Sequence, residues 1–568
     1  MLNFNEEYIR WNNTELADQD LVIELKNMSE KDIEDSFYKN LAFGTGGLRG
    51  TIGAGTNRMN VYTVAKATQG LADYLIKKYG KQASVSIGYD SRIKSDVFAK
   101  VAAGVFTANG IAVHIWPTLL PVPTLSYAVR YLGTSAGVMI TASHNPSKYN
   151  VYKVYGDDGC QITTEAAAEI LAEIEKLDIF ADVNHGSFDD GVASGAIKYI
   201  DDEVLTAFIE EVKNQSMLKA GDVNVNKDVA IVYSPLNGTG LVPVTRTLKE
   251  MGYTNITVVA EQEKPDGNFP TCPYPNPEIK EAMALGMEYA KKCNADLLLA
   301  TDPDCDRVGI AVKDVAGIRG AAGEYALLSG NETGILLLDY ICSRRNATGT
   351  MPAAPVMVKT IVTSDMATQV ADNYGVRTID CLTGFKFIGE QIGLMESRGE
   401  EDNYIFGMEE SYGYLTGGYV RDKDAVDGAF MICEMFAYYA TQGIGLIEKL
   451  EELYKKYGYR LNTLHSYEFD GAAGAEKMKG IMATFRGDIT SFGGKKVEKL
   501  IDYLPGVDGL PKSDVLKFLL EDNCSVVVRP SGTEPKVQFY ISISDSSMEA
   551  ASEVEKKVLA DLEEIMGE

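Results

Sequence analysis

Residues 296–307 read Asp296-Leu297-Leu298-Leu299-Ala300-Thr301-Asp302-Pro303-Asp304-Cys305-Asp306-Arg307. A strand-sized apolar run ends at Ala300, and three carboxylates then alternate over five positions with an arginine directly after them. Carboxylates crowded this closely repel one another, and a divalent cation with oxygen ligands is the simplest relief. An EF-hand loop is excluded, because glycine does not stand at its sixth position nor glutamate at its twelfth. A solvated acidic turn is the plainer alternative, but the preceding strand and the following Arg307 favour a site. Asp302, Asp304 and Asp306 are therefore expected to hold a metal, with Mg²⁺ suited to phosphate chemistry.

The same unit, an apolar run feeding a polar, glycine-bearing segment, recurs along the chain. Ser84 to Ile87 leads into Gly88-Tyr89-Asp90-Ser91-Arg92, and Gly137 to Ile140 into Thr141-Ala142-Ser143-His144-Asn145-Pro146. Val229 to Tyr233 leads into Ser234 to Gly240, and Tyr404 to Phe406 into Gly407-Met408-Glu409-Glu410-Ser411. Amphipathic stretches lie between these runs; one from Thr63 to Tyr79 places Val64, Ala67, Leu71, Tyr74 and Leu75 on one face, with Gly80 as its stop. This alternation predicts α/β layers around mostly parallel sheets, whose ligands sit beyond the carboxyl ends of the strands. The last quarter differs: Val526 to Val528, Arg529 to Lys536, Val537 to Ile543 and a closing helix from Ser547 predict a smaller α+β module. Domains are expected over 1–205, 206–325, 326–455 and 456–568, with no long linker between them.

Length and composition limit the function. The 568 residues are 45% hydrophobic and 24% charged, with mean hydropathy −0.10 and net charge −27. That charge argues against nucleic-acid or anionic-membrane partners. The apolar runs are too short to span a bilayer, and residues 1–13 lack a signal-peptide pattern. Eight cysteines without a Cys-x-x-Cys pair read as reduced thiols, so a cytoplasmic chain is expected, with neither a disulfide framework nor a zinc site.

Three further segments carry chemistry. Ser143 follows a strand, but a serine hydroxyl needs activation, and the adjacent His144 rarely has the geometry of a dyad; the Gly-x-Ser-x-Gly elbow is missing too. Arg529-Pro530-Ser531-Gly532-Thr533-Glu534-Pro535-Lys536 offers cations, hydroxyls and glycine amides suited to a phosphate dianion. Glu409, Glu410 and Ser411 could accept and donate to sugar hydroxyls. Arg421-Asp422-Lys423-Asp424, taken alone, reads as a solvated loop. Phe43 to Gly50 is glycine-rich but lacks the Gly-Lys-Ser/Thr ending of a nucleotide loop, and no dinucleotide fingerprint is present.

In their order, the Thr-Ala-Ser-His-Asn-Pro, Asp-Pro-Asp-Cys-Asp-Arg, Gly-Met-Glu-Glu-Ser and Arg-Pro-Ser-Gly-Thr-Glu-Pro segments resemble the α-D-phosphohexomutase superfamily, most closely its phosphoglucomutases. The resemblance spans nearly the whole chain. Gly44-Thr45-Gly46-Gly47-Leu48-Arg49-Gly50 and Thr56-Asn57-Arg58-Met59-Asn60 look like the long branch that includes phosphopentomutases and glucose-1,6-bisphosphate synthases. It implies three related α/β domains with mixed sheets and a smaller fourth domain around a central cleft. It also implies interconversion of glucose 1-phosphate and glucose 6-phosphate through a phosphoserine and glucose 1,6-bisphosphate. Mannose or pentose phosphates, bisphosphate synthesis, and an inactive sugar-phosphate-binding paralogue are the alternatives; intact Ser143, aspartates and arginines speak against the last.

By the same resemblance, Ser143 would carry phosphate and join the three aspartates around Mg²⁺. Arg307 and Arg49 would lie near the transferring group, and Lys153 would face the phosphoserine. Glu409 and Ser411 would hold sugar hydroxyls, Lys386 would add a cation to the cleft, and Arg529, Ser531, Gly532 and Thr533 would hold the phosphate that is not reacting. Lys423 is the candidate general acid/base and His144 its rival. Small sugar phosphates are the expected partners, and the chain is expected to be a monomer or weak homodimer. Asn237 and Met408 depart from the usual His and Phe at places not central to this chemistry. Val151 replaces a typical glycine in Tyr149-Asn150-Val151-Tyr152-Lys153. If the glycine serves a positive φ or a close backbone approach, a β-branched residue there would strain the loop and displace Lys153, and Val151→Gly would raise kcat/KM several-fold with little change in melting temperature. The plainer alternative is an adapted loop with negative φ, in which the two proteins are equally active.

Overall fold

The computed structural model describes residues 4–219, 224–469, 471–507, 509–530 and 536–567. Strand Leu297–Thr301 is buried along its whole length, because it lies inside a sheet. It pairs in parallel with Ile231–Ser234 and antiparallel with Val308–Lys313, and the five-strand sheet is completed by Ile256–Val258 and Tyr325–Leu328 at its edges. Burial on both faces is why the run is uninterruptedly apolar rather than alternating.

Two further mixed sheets follow the same plan. The first has seven strands, in the order Phe43–Gly44, Gly47–Thr51, Tyr149–Tyr155, Ala136–Ile140, Ser84–Tyr89, Ala112–Ile115, Ile197–Tyr199. The second has four: Arg377–Cys381, Val356–Thr360, Tyr404–Glu409 and Gly413–Leu415. The C-terminal sheet differs, with six antiparallel strands and helices Gly471–Phe485 and Met548–Met566 packed against it. It is thus a larger sheet than the hairpin-like pair expected there. The three mixed sheets and the β-rich fourth unit match the expected fold class. The expected boundaries near 205, 325 and 455 fall inside helix Asp202–Asn214, on the first residue of strand Tyr325–Leu328 and inside helix Leu446–Tyr457.

Helix Ala425–Thr441 ties the middle of the molecule together. It is apolar nearly all round and packs on both neighbouring sheets and on helices Asp202–Asn214, Leu241–Glu250 and Gly330–Thr348. A single core extends from Trp116 and Phe208 through Leu299 and Phe406 to Leu450. Among the described residues no single helix is long and apolar enough to cross a membrane; Ala425–Thr441 and Leu446–Tyr457 qualify only as a pair, bent by 88°. The amphipathic helix runs from Val61 to Tyr79, capped by Asn60, whose amide also donates to the carbonyls of Gly53 and Gly55 at 2.9 Å. Three N-terminal helices, absent from the expectations above, form a small core of Trp11, Leu21, Leu25 and Phe37 against Ala54 and Ile179.

Val151 overturns the expectation of strain. It sits mid-strand opposite Arg49, is fully buried, and is not among the residues with positive φ. Antiparallel pairing imposes an extended backbone that a β-branched residue favours, and Lys153 is not displaced, its Nζ lying 3.1 Å from Asp304. Val151→Gly is therefore expected to cost about 2–4 kcal/mol through lost burial and added backbone freedom. Melting temperature should fall and kcat/KM should not rise; a several-fold gain in kcat/KM would restore the strained-loop account.

Candidate active site

The carboxyl ends of the three mixed sheets face one cleft of about 650 Å³, to which the C-terminal sheet adds a wall. Ser143 and His144 reach it from a loop of the first sheet, Arg49 and Lys153 from its strands Gly47–Thr51 and Tyr149–Tyr155, and Asp306 and Arg307 from the second sheet's acidic loop. Lys386, Glu409, Ser411 and Lys423 come from the third, and Arg529 from the fourth. The structure thus brings together every expected residue that it describes. Asp302 and Asp304 stand immediately behind Asp306, while Ser531, Gly532 and Thr533 lie outside the described residues.

The acidic loop turns sharply after its strand, with Cys305 at φ 51° and its amide donating to the carbonyl of Asp302. One oxygen of Asp302 accepts from the backbone amides of Asp306 and Arg307 at 3.1 and 2.9 Å. The carboxylates of Asp302, Asp304 and Asp306 come within 4.8 Å of one another and are buried. Burial, and then the neighbouring carboxylates, push Asp302 well above the usual carboxylate range, and Asp306 rises for the same reasons. Asp304 goes the other way: burial opposes its charge, but Lys153 holds it low. One oxygen each of Asp304 and Asp306 is buried without a hydrogen-bond partner. Three clustered carboxylates, two of them with an unpartnered oxygen, fit a hard divalent cation.

Ser143 is brought to this cluster by a left-handed turn at φ 51°. Its amide donates to Thr141 Oγ1 at 2.9 Å, and Thr141 in turn donates to Asp304 at 3.1 Å. Ser143 Oγ donates to Asp302 at 2.7 Å and lies 3.1 Å from His144 Nδ1. Burial, and then the nearby Arg307, lower His144 well below its ordinary value, so its imidazole is neutral at pH 7. Lys423 behaves oppositely. Its Nζ lies 3.0 Å from Asp306, and although burial works against the charge, Asp306 and Asp422 raise its pKa well above the ordinary lysine value.

The Arg421–Asp424 segment is not the solvated loop its alternating charges suggest. Arg421 and Asp424 are buried; Arg421 pairs with Glu396 at 2.7 Å, and Asp422 accepts from Tyr155 at 2.9 Å. Asp424 caps helix Ala425–Thr441. The segment therefore aims Lys423 into the cleft. Glu409 is pushed up to about 7 by burial. Glu410 instead accepts from Thr360 and Thr363 at 2.9 and 3.0 Å, which anchors the strand end. Lys386 Nζ donates to Thr45 Oγ1 at 2.7 Å, so it joins the first turn of helix Phe385–Glu396 to the glycine-rich hairpin.

Glu278 was not expected here; it lines the cleft and pairs with Arg307. Its loop follows no strand directly, so the strand-to-loop pattern does not single it out. Asn237 stays out of the cleft, at φ 57° with its amide donating to the Lys264 carbonyl at 2.8 Å, a left-handed position that asparagine tolerates. Met408 is buried against Gly334.

Three family profiles match in succession: phosphoglucomutase/phosphomannomutase alpha/beta/alpha domain I over residues 40–179, domain II over 206–317 and domain III over 329–457. A phosphoglucomutase of Staphylococcus saprophyticus is 36% identical over 533 residues, covering 91% of this chain and 93% of the relative. One from Staphylococcus aureus is 35% identical over 554 residues, covering 93% and 95%. Among solved structures, the Paramecium parafusin phosphoglucomutase in its open form superposes with a TM-score of 0.66 at 17% identity, covering 93% of this chain and 97% of that one. A phosphoglucomutase/phosphomannomutase family protein of Burkholderia thailandensis gives 0.66 at 16%, covering 92% and 97%. Those two likenesses speak for the fold, and the profiles and curated relatives for the lineage. The chain belongs to the phosphoglucomutase/phosphomannomutase family, enzymes of the α-D-phosphohexomutase superfamily that act on sugar phosphates.

Proposed function

We propose that this enzyme is a phosphoglucomutase that interconverts glucose 1-phosphate and glucose 6-phosphate in the cytoplasm, with Ser143 as phosphoryl carrier. The observation that supports it most is Ser143 Oγ, placed 2.7 Å from Asp302 at the rim of the acidic triad and open to a cleft edged by all four sheets. The divisions between domains are taken after helix Asp202–Asn214, at Ser329 and at Gly458.

In the forward direction the phosphoryl group leaves phosphorylated Ser143 for O6 of glucose 1-phosphate, and the Ser143 oxygen regains a proton. The glucose 1,6-bisphosphate turns over, and Ser143 Oγ attacks the phosphorus at C1, releasing glucose 6-phosphate. Asp302, Asp304 and Asp306, with a phosphoserine oxygen, would hold Mg²⁺, which supplies charge neutralisation for the transferring group. Arg307, Arg49 and Lys153 add fixed cations around it. Neutral His144, in contact with Ser143 Oγ, is better placed than Lys423 to move the serine proton. Lys423, held protonated by Asp306, serves as a fixed charge or a proton donor. Glu409 and Ser411 grip the sugar hydroxyls. Arg529, which donates weakly to Gln538 at 3.5 Å, takes the distal phosphate in either orientation. Comparing kcat/KM for glucose 1-phosphate and ribose 1-phosphate tests the substrate: preference for the glucose ester is expected, and preference for the ribose ester would make the enzyme a phosphopentomutase.

Chelation should abolish turnover while leaving the fold standing, because the triad sits in one loop at the cleft wall and not in the hydrophobic core of a domain. Asp304→Asn should need at least about tenfold more Mg²⁺ for half-maximal activity, since it removes one ligand charge; wild-type activity of that variant without added metal would contradict the metal assignment. The pKa of Glu409, about 7, carries a pH prediction. Below it the carboxyl is neutral and accepts poorly from sugar hydroxyls, so kcat/KM should fall as pH drops through about 7. Glu409→Gln should be less active at pH 8 and should lose that inflection; an unchanged acid limb in the variant would assign the limb to another group.

A further inference from the structure

The Gly88–Arg92 segment, one of the strand-to-loop units in the sequence, supplies none of the residues lining the cleft. Its Arg92 is nevertheless one of the most heavily engaged side chains in the molecule. The guanidinium is fully buried directly beneath the serine loop. Nη2 donates to the carbonyls of Ser143 and Asn145, and Nη1 donates to those of Pro146 and Tyr149 at 3.0 and 3.3 Å. Nε faces Asp90 Oδ2 at 3.4 Å, and Asp90 is itself held by Ser95 Oγ at 2.7 Å and by the Arg92 amide at 3.0 Å. The planar face lies 5.0 Å from the ring of Phe269, which comes from the neighbouring domain. That loop docks backbone to backbone: a Cβ on Gly267 would lie 2.5 Å from the Ile93 nitrogen.

Four carbonyls converging on one cation is an arrangement that only a rigid fork of donors can satisfy. It matters because Ser143 holds a left-handed backbone, which a non-glycine residue adopts at a cost. We propose that Arg92 is a positioning residue for phosphoryl transfer. It fixes the strained turn that presents Ser143 Oγ to the acidic triad, and Phe269 makes that fixation depend on the docking of the metal-bearing domain. The proposal rests on Ser143 being the phosphoryl carrier. Arg92 touches neither substrate nor metal, so its loss should slow transfer without weakening sugar-phosphate binding.

The test compares Arg92→Ala, Arg92→Lys, Phe269→Leu and Ser143→Ala with the parent enzyme. Arg92→Ala and Arg92→Lys should each lose at least about tenfold in kcat, with KM for glucose 1-phosphate held within about threefold. Lysine should not substitute, because a point charge cannot address four carbonyls. Low, non-denaturing concentrations of guanidinium should partly restore Arg92→Ala and leave Ser143→Ala unrestored. Phe269→Leu should show a smaller loss of the same kind. Should Arg92→Ala not fold, Arg92→Lys and Phe269→Leu decide. Parental kcat in the folded Arg92 variants, or a loss carried by KM and untouched by guanidinium, would overturn the proposal. Hydrogen exchange separates this failure from that of the carrier assignment. If Ser143→Ala keeps mutase activity, the carrier is another group. Faster amide exchange confined to residues 143–149 in Arg92→Lys would still support the clamp, and unchanged exchange there would refute it.

Discussion

Three carboxylates buried within 4.8 Å of one another cannot all be ionised without compensating positive charge. Much of the architecture around the cleft supplies that charge. Lys153 reaches Asp304 from the first sheet and Lys423 reaches Asp306 from the third, so the second domain's acidic loop is gripped by a cation from each neighbour. The two unpartnered carboxylate oxygens leave room for a divalent ion between these grips. Ser143 completes the arrangement through its bond to Asp302. The same electrostatic demand therefore draws three domains together at the proposed reaction centre.

Charge balance also explains why residues that look ordinary in isolation are placed with care. Lys423 is useful only because Arg421, Asp422 and Asp424 are each tied down by a different part of the molecule: Glu396, Tyr155 and the first turn of a long buried helix. Arg92 stands in the same relation to Ser143, since it converges on the loop's main-chain carbonyls without entering the cleft. Arg307, paired with Glu278, is a cation held at the cleft wall.

Much of this is legible in the sequence for a simple reason. Parallel strands covered on both faces must be continuously apolar, and their ends must turn polar where the layers open, so Leu297 to Arg307 or Gly137 to Pro146 announce both strand and site. What is not legible depends on distant partners. The charges of Arg421 to Asp424 look solvated until Tyr155, 267 positions before Asp422, and Glu396, 25 positions before Arg421, are seen to cover them. The acceptors of Arg92 are backbone carbonyls, which carry no residue signature. Val151 misleads because a glycine-to-valine departure suggests left-handed strain, whereas pairing with Arg49 fixes an extended backbone. The three N-terminal helices are short, and their apolar positions make sense only against Ala54 and Ile179.

Ser143, as the proposed group that carries phosphate between the two ends of the sugar, is the residue on which the mechanism depends. The most direct measurement is the intact mass of the enzyme before and after incubation with glucose 1,6-bisphosphate and Mg²⁺, followed by peptide mapping and then by glucose 1-phosphate. One phosphoryl group is predicted on Ser143, and it should leave when glucose 1-phosphate is added. A protein that turns over glucose 1-phosphate while Ser143 never carries phosphate would contradict the account.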